Sequence, residues 1–380
     1  MRLVLTGLML LTLVGVMTDS AAQPAGGSKP LVFISSFAPA GSGAIQAFTF
    51  DPSAGTLTPT RSTPIEHPFF LALSPNRRFL YSIHAREFSG KDNEFVAAFE
   101  LLGRTGELKA LNRQSSRGTA SCYLDVDATG KSVVVANYTT GSVASLPAGK
   151  DGSLGEAATF VQHTGSSVNP NRQTGPHAHC IVISPDNKHV FSADLGLDRV
   201  LCYRLDAATA RLTPTRQAFV RTPPGAGPRH LTFHPNGRHL YVINEMANSV
   251  THFEYEPKTG MLVEKGTLST VPQGFQGESY CADVKITPNG RFLYGTNRGH
   301  DSLAAYRIAE DGSLSLIGIE PSLGKGPQNL AITPDGQHLL CANMPSNNVA
   351  VFRIDAESGK LHSTGAPVTL KSPSCIMIVP

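Results

Sequence analysis

The chain has 380 residues, a net charge of +3, no tryptophan, 36 glycines and 27 prolines. So mild a charge without a basic cluster excludes an extended nucleic-acid surface, and the lack of long helix-period segments argues against a helical architecture. Length alone leaves open two or three ordinary domains or one large β architecture.

The first residues, MRLVLTGLMLLTLVGVMTDSAAQ, have the form of a secretory signal. Arg2 gives the positive start, Leu3 to Met17 an apolar run short for a bilayer, and Ser20 and Ala22 small residues before an expected cut after Ala22. No cysteine follows the run, so no lipid anchor is indicated. Residues 1–22 are therefore read as a signal peptide, 23–30 as a short linker and 31–380 as one domain. The mature protein is expected to be periplasmic or secreted, with no attachment to membrane. Oxidising surroundings permit disulfides, yet Cys122, Cys180, Cys202, Cys281, Cys341 and Cys375 lie far apart, mostly within predicted strands and without CxxC spacing. They read as small buried hydrophobes.

Beyond the leader one hairpin recurs: LALSPNRRFLYSIH from Leu71, LDVDATGKSVVVAN from Leu124, IVISPDNKHVFSAD from Ile181, LTFHPNGRHLYVIN from Leu231, VKITPNGRFLYGTN from Val284 and LAITPDGQHLLCAN from Leu330. Proline and Asn/Asp-Gly make the reversal, and a third strand-like run follows each copy. A period of about 46 to 57 residues with three or four strands per unit marks propeller blades. The terminal SPSCIMIVP is a first strand halted at its turn, and LVFISSF near the start is the second strand it needs. The predicted fold is an all-β, seven-bladed propeller whose last blade joins both termini. That closure hides strand edges, so a monomer is expected.

In each hairpin the free strand ends meet opposite the turn, around the channel mouth. Six residues before the turn proline the ring reads Phe69, Cys122, His179, Arg229, Ala282, Gln328 and Ser374; ten after, it reads Ala85, Tyr138, Leu195, Glu245, Arg298 and Met344. Nine after, the recurring His84, Asn137, Asp194, Asn244, Asn297 and Asn343 suit a structural role, satisfying backbone where the second strand ends. The charged residues are each singular. Arg229 and Glu245, eight to either side of Gly237, should lie directly opposite one another and can pair. Arginines beside a carboxylate and an imidazole can bind a carbonyl oxygen while a proton moves, the chemistry of lactone or ester opening. His179, Arg229, Glu245 and Arg298 are the candidate catalytic residues; His177, Asp194 and Gln328 are candidates for substrate contact.

His177 lies two before His179 on the same face of an extended strand, so the two imidazoles can be presented together, but too few carboxylates accompany them for a metal site, so no metal is expected. His230 should point away from Arg229 into packing between blades. Asp198 and Asp301 align with Asn248 and Asn347 and read as loop-stabilising turns. No GxSxG elbow, Walker loop or dinucleotide fingerprint stands in the right context.

The blocks PHAHCIVISPDNKHVFSADLGLDRVLCYRLD, GPRHLTFHPNGRHLYVINEMANSVTHFEYE and ITPNGRFLYGTNRGHDSLAAYRI resemble the lactonase family of seven-bladed propellers, which includes propeller-type 6-phosphogluconolactonases and 3-carboxy-cis,cis-muconate lactonizing enzymes. The resemblance implies an active site at the histidine of HAH, the arginine of GPRH, the glutamate of NE and the arginine of NRGHDS. These fall on His179 or His177, Arg229, Glu245 and Arg298, and no cofactor is implied. The leader departs from a cytoplasmic sugar-phosphate enzyme, so unphosphorylated sugar lactones or other cyclic esters are the expected substrates. Lactonizing isomerisation of an unsaturated acid and a non-enzymatic exported binding propeller are the alternatives.

Overall fold

In the computed structural model, residues 29–85 and 94–380 are described, and the leader lies outside them. They form seven antiparallel sheets around one axis. Blade 1 begins with Pro68–Leu73, blade 2 with Ser121–Val126, blade 3 with Ala178–Ile183 and blade 4 with Pro228–Phe233. Blade 5 begins with Tyr280–Ile286 and blade 6 with Pro327–Ile332. Blade 7 is composite: the C-terminal Pro373–Val379 is innermost, and Leu31–Ser36, Ala44–Asp51 and Thr56–Pro64 follow outward. Each innermost strand packs beside the next, and that of blade 7 meets that of blade 1, closing the ring.

The second strands, such as Ser132–Asn137 and His239–Asn244, are buried along their whole length. Both their faces lie against neighbouring blades, which is why they read as continuous apolar runs. The outermost strands alternate, as Arg211–Arg221 does, with one face in water. Turn chemistry fixes the register. In blade 5 Thr287 Oγ1 bonds Asn289 Oδ1 at 2.7 Å, accepts from the Phe292 amide at 3.0 Å, and Gly290 supplies φ of +75°. Ser74, Ser184 and Thr333 accept from the returning strand in the same way.

All seven innermost strands share an irregularity near the channel mouth. The pairing register slips between Pro68 and Leu71, Ser121 and Tyr123, Ala178 and Cys180, Pro228 and His230, Cys281 and Val284, and Pro327 and Asn329. In blade 7 it slips at Ser374. The residue six before each turn therefore sits in a β-bulge, which resets the alternation below it, and four of the seven, Phe69, His179, Arg229 and Gln328, line the mouth. Arg229 is thus not directly opposite Glu245, as regular pairing would place it. Pro228 pairs with Asn244, His230 with Ile243, and Arg229 is the extra residue.

The residues nine after the turn are buried and structural. Asn137, Asn297 and Asn343 donate to the carbonyls of Ser116, Thr270 and Ser322, which lie where the preceding blade ends. Asp198, Asn248, Asp301 and Asn347 each adopt positive φ, between 47° and 55°. Their side chains bond the segment that enters the following blade: Asp198 accepts from the amides of Gly225 and Gly227, Asp301 from that of Gly326. All six cysteines are buried and free.

Candidate active site

A cavity of about 330 Å³ opens at the mouth, on the face opposite the turns. His179, Arg229, Glu245, Arg298 and Gln328 line it. Phe69, Tyr138, Met344 and Arg172 complete the wall. All but Arg172 belong to the two rings that the hairpin count defines.

Glu245 is the centre. It follows the second strand of blade 4, where its amide donates to Gly227 O at 2.7 Å. Gly227 has φ of +63°, and a Cβ there would press on Met246, so this approach needs glycine. Glu245 Oε2 accepts from Arg229 Nε at 2.9 Å and Arg298 Nη2 at 2.8 Å; Oε1 accepts from Arg172 Nη2 at 2.8 Å. Burial would raise this carboxyl, but the guanidiniums of Arg298, Arg229 and Arg172 outweigh it and bring the pKa down to about 2. Glu245 is an anion at any physiological pH, with three guanidiniums on its two oxygens.

His179 stands beside it, Nε2 4.0 Å from Glu245 Oε2 and Nδ1 buried without a partner. Burial, then Arg229 and His230, hold its pKa well below the usual value, so the ring is neutral. At 4.0 Å the two atoms are too far apart to hydrogen-bond each other, and both residues line the cavity. Arg229, whose side chain is 2% exposed, stays charged although burial and Arg298 lower it to about 10.

Below the cavity Phe70, Tyr123 and His230 meet on the axis: Phe70 and Tyr123 lie 4.2 Å apart, and Tyr123 and His230 4.9 Å. His230 therefore points into the channel and not between blades, because the bulge at Arg229 resets the alternation. Its Nδ1 lies 2.8 Å from Asp283 Oδ1 and its Nε2 3.2 Å from Arg229 Nη1. The carboxylate calls for a proton on Nδ1 and Arg229 for a lone pair on Nε2, which assigns the tautomer. Burial and then Arg229 bring its pKa down to about 3, so this arrangement is kept at neutral pH. Asp283 also accepts from Lys285 Nζ at 2.8 Å and Asn329 Nδ2 at 2.8 Å. Arg229 Nη1 donates to Ala282 O at 2.5 Å, so its head is held from beneath.

Two residues expected to touch substrate lie elsewhere. His177 precedes the blade 3 strand and stacks on the outer side of Tyr138, ring centroids 4.6 Å apart, while His179 meets Tyr138 edge-on at 5.0 Å. The Tyr138 ring contacts both imidazoles, and His177 does not line the cavity. Asp194 is fully buried, its carboxylate 2.6 Å from His163 Nδ1 and accepting the amides of His177 and Gly196. It has the structural role of its Asn counterparts. The Gln328 amide, by contrast, faces the cavity and has no protein partner among the described residues.

Arg172 was not legible as a site residue. It stands on the segment entering blade 3, whose fold depends on Gln173: the buried amide donates to Leu195 O and Asp198 Oδ1, both at 2.8 Å. The only signal was spacing, since the longest gap between hairpin turns falls here.

The family model described as lactonase, 7-bladed beta-propeller, matches residues 31–378. A protein of Bacillus subtilis named 6-phosphogluconolactonase is 31% identical over 351 residues, covering 92% of this chain and 98% of its own length. One of Formosa agariphila with the same name is 33% identical over 314 residues, 81% of this chain and 87% of its own. A solved structure described as the periplasmic gluconolactonase of Pseudomonas aeruginosa superposes with a TM-score of 0.88 at 32% identity, covering 93% of this chain and 99% of that one. The convergence of imidazole, carboxylate and guanidiniums at the mouth and these similarities agree: the chain belongs to the seven-bladed β-propeller lactonase family and is a carboxylic ester hydrolase of the 6-phosphogluconolactonase-like kind.

Proposed function

We propose that the protein is an exported enzyme that opens a small sugar-type lactone at the propeller mouth by metal-independent acid/base chemistry. The observation that carries this reading is the pair His179 Nε2 and Glu245 Oε2, 4.0 Å apart in a cavity ringed by guanidiniums. A water held there attacks the lactone carbonyl carbon. As the new C–O bond forms, His179 Nε2 takes the water's proton, and Glu245 stabilises the imidazolium. Negative charge grows on the carbonyl oxygen, where the N–H groups of Arg298 and Arg229 not used by Glu245 receive it. The ring C–O bond then breaks, the leaving oxygen takes the proton back from His179, and the product is the open hydroxy acid. Lactone and water are consumed one for one.

Glu245 does not serve as the base in this reading, because its oxygens already accept from three guanidiniums. The same cations disfavour a divalent ion beside it, which supports chemistry without metal. The Gln328 amide is placed to meet substrate hydroxyls. Export rests on the leader sequence, and the periplasmic description of the Pseudomonas aeruginosa relative is consistent with it.

The test is acid release by chelator-treated protein across phosphorylated and unphosphorylated aldonolactones, with product analysis. Products that gain one water support hydrolysis; an isomer of an unsaturated acid substrate, with no water added, contradicts it. For export, the N-terminus of the protein recovered outside the cytoplasm should begin at Gln23. An uncut chain retained in the cytoplasm rejects that part.

A further inference from the structure

Three guanidiniums share the two oxygens of Glu245, and they share them unequally. Arg229 is fixed from below by Ala282 O and His230, and Arg298 by the carbonyls of Tyr280 and Cys281 at 3.3 and 3.1 Å. Both also hold Oε2. Arg172 alone holds Oε1, and the only other protein group its head touches among the described residues is Tyr138 Oη at 3.3 Å. Its side chain is 36% exposed, against 27% for Arg298 and 2% for Arg229.

The backbone beneath Arg172 is firm. Asn169 Oδ1 accepts the Arg172 amide at 3.1 Å, and the adjacent Gln173 is pinned to Leu195 and Asp198. The arm is therefore anchored at its base while its head is held by few contacts.

Charge gives that head a task. With the imidazoles neutral, three guanidiniums against one carboxylate leave the cavity with a net charge of +2. Opening an uncharged lactone calls for one oxyanion site, which Arg298 and Arg229 provide. The remaining positive charge suits an anion fixed elsewhere on the substrate, and Arg172 can reach it for the loss of one strong hydrogen bond.

We propose that Arg172 is the specificity-determining residue of this pocket, the guanidinium that leaves Glu245 Oε1 to bind a carboxylate or phosphate carried by the lactone away from the scissile ester. This rests on the lactonase reading above. The exchange leaves Glu245 less neutralised beside His179, so an anionic substrate promotes proton uptake by that ring as well as binding. Arginine suits the task because its planar fork matches carboxylate and phosphate oxygens two at a time.

The experiment compares wild type, Arg172→Ala and Arg172→Lys on gluconolactone, glucarolactone and phosphogluconolactone: neutral, carboxylated and phosphorylated forms of one sugar lactone. The wild type should prefer at least one charged form. In Arg172→Ala the ratio of kcat/KM for that form to kcat/KM for gluconolactone should fall about tenfold or more, as loss of a charge-assisted contact implies. Most of the change should lie in KM, and Arg172→Lys should recover part of it. Which charged form is affected identifies the anion. Equal losses on charged and neutral lactones would mean that Arg172 only supports Glu245 and would overturn the proposal, as would a wild type without preference. If wild type opens none of the three, the hydrolase reading fails by itself, and calorimetric binding of glucarate and of inorganic phosphate decides the role of Arg172. Weaker binding in Arg172→Ala keeps it; equal binding rejects it.

Discussion

Blades 3 to 5 and blades 6, 7 and 1 present the same bulged position to the mouth, yet they put different chemistry there. On one side stand His179 and Arg229, with Glu245 and Arg298 at the ends of the second strands; on the other stand Gln328, Ser374 and Phe69, with Met344 and Ala85. The backbone is repeated, so the contrast belongs to the side chains. The charged half is a network in which the heads of Arg229, Glu245 and Arg298 are each held by two or more partners, with His179 beside them. The other half is a wall: Ser374 is turned away onto Phe69 O at 2.9 Å, and Gln328 offers a free amide. Seven copies of one bulge give a round mouth, and variation around it gives the mouth a reactive side and a binding side.

Removing the charge at the centre should do most to abolish this contrast. Glu245→Gln leaves three guanidiniums facing one another, and breaking a buried ion pair costs about 3–5 kcal/mol. Thermal unfolding should show that loss, and kcat/KM should fall ~1000-fold or more. A stable variant of near-normal rate would refute the network.

Next in size is the support below the reactive half. Asp283→Asn removes the carboxylate that fixes the His230 tautomer and pairs with Lys285, at a cost of about 3 kcal/mol measured by denaturant unfolding. The same region sets a pH dependence. His230 has a folded pKa of about 3, below its ordinary value near 6.5. Between those values the unfolded chain takes up a proton that the folded one refuses, so stability is full above about pH 6.5 and declines as pH falls toward 3. His230→Gln should flatten the decline, although His84, lowered to about 4 by burial, still contributes to it. An unchanged slope would contradict the assignment of a neutral, Nδ1-protonated ring.

Two smaller effects sharpen the division of labour. Asp194→Asn should cost about 1–3 kcal/mol of stability, since His163 loses an ionic partner, with KM unchanged. A raised KM would return Asp194 to the substrate. Gln328→Ala should raise KM about tenfold with little change in kcat or Tm, the signature of one lost substrate hydrogen bond. A fall in kcat would move Gln328 to the reactive side.

Much of this organisation was legible because a turn proline sets the phase of both strands beside it. Counting six back and ten forward named His179, Arg229, Glu245, Arg298 and Gln328, and placed Phe69, Tyr138 and Met344 in the same rings. The bulge was not legible: proline precedes the extra residue at Pro68, Pro228, Pro327 and Pro373, but Ser121, Ala178 and Cys281 stand there in the other blades, and an extra residue shows only in the pairing. Its consequences were hidden with it, namely the offset of Arg229 from Glu245 and the turn of His230 into the channel. His177 was misplaced because the strand starts one residue after it. Arg172 comes from the segment that enters blade 3, outside the repeated hairpin, so counting along the hairpin could not reach it.

The most direct test of the central claim, that His179 activates a water beside Glu245, is kcat/KM for His179→Ala against wild type on whichever lactone is turned over best. Both proteins are first shown to unfold at similar temperatures. A fall of about 100- to 10000-fold is expected, carried by kcat with KM little changed. A variant that opens the lactone at the wild-type rate would show that the proton goes elsewhere and would contradict the mechanism.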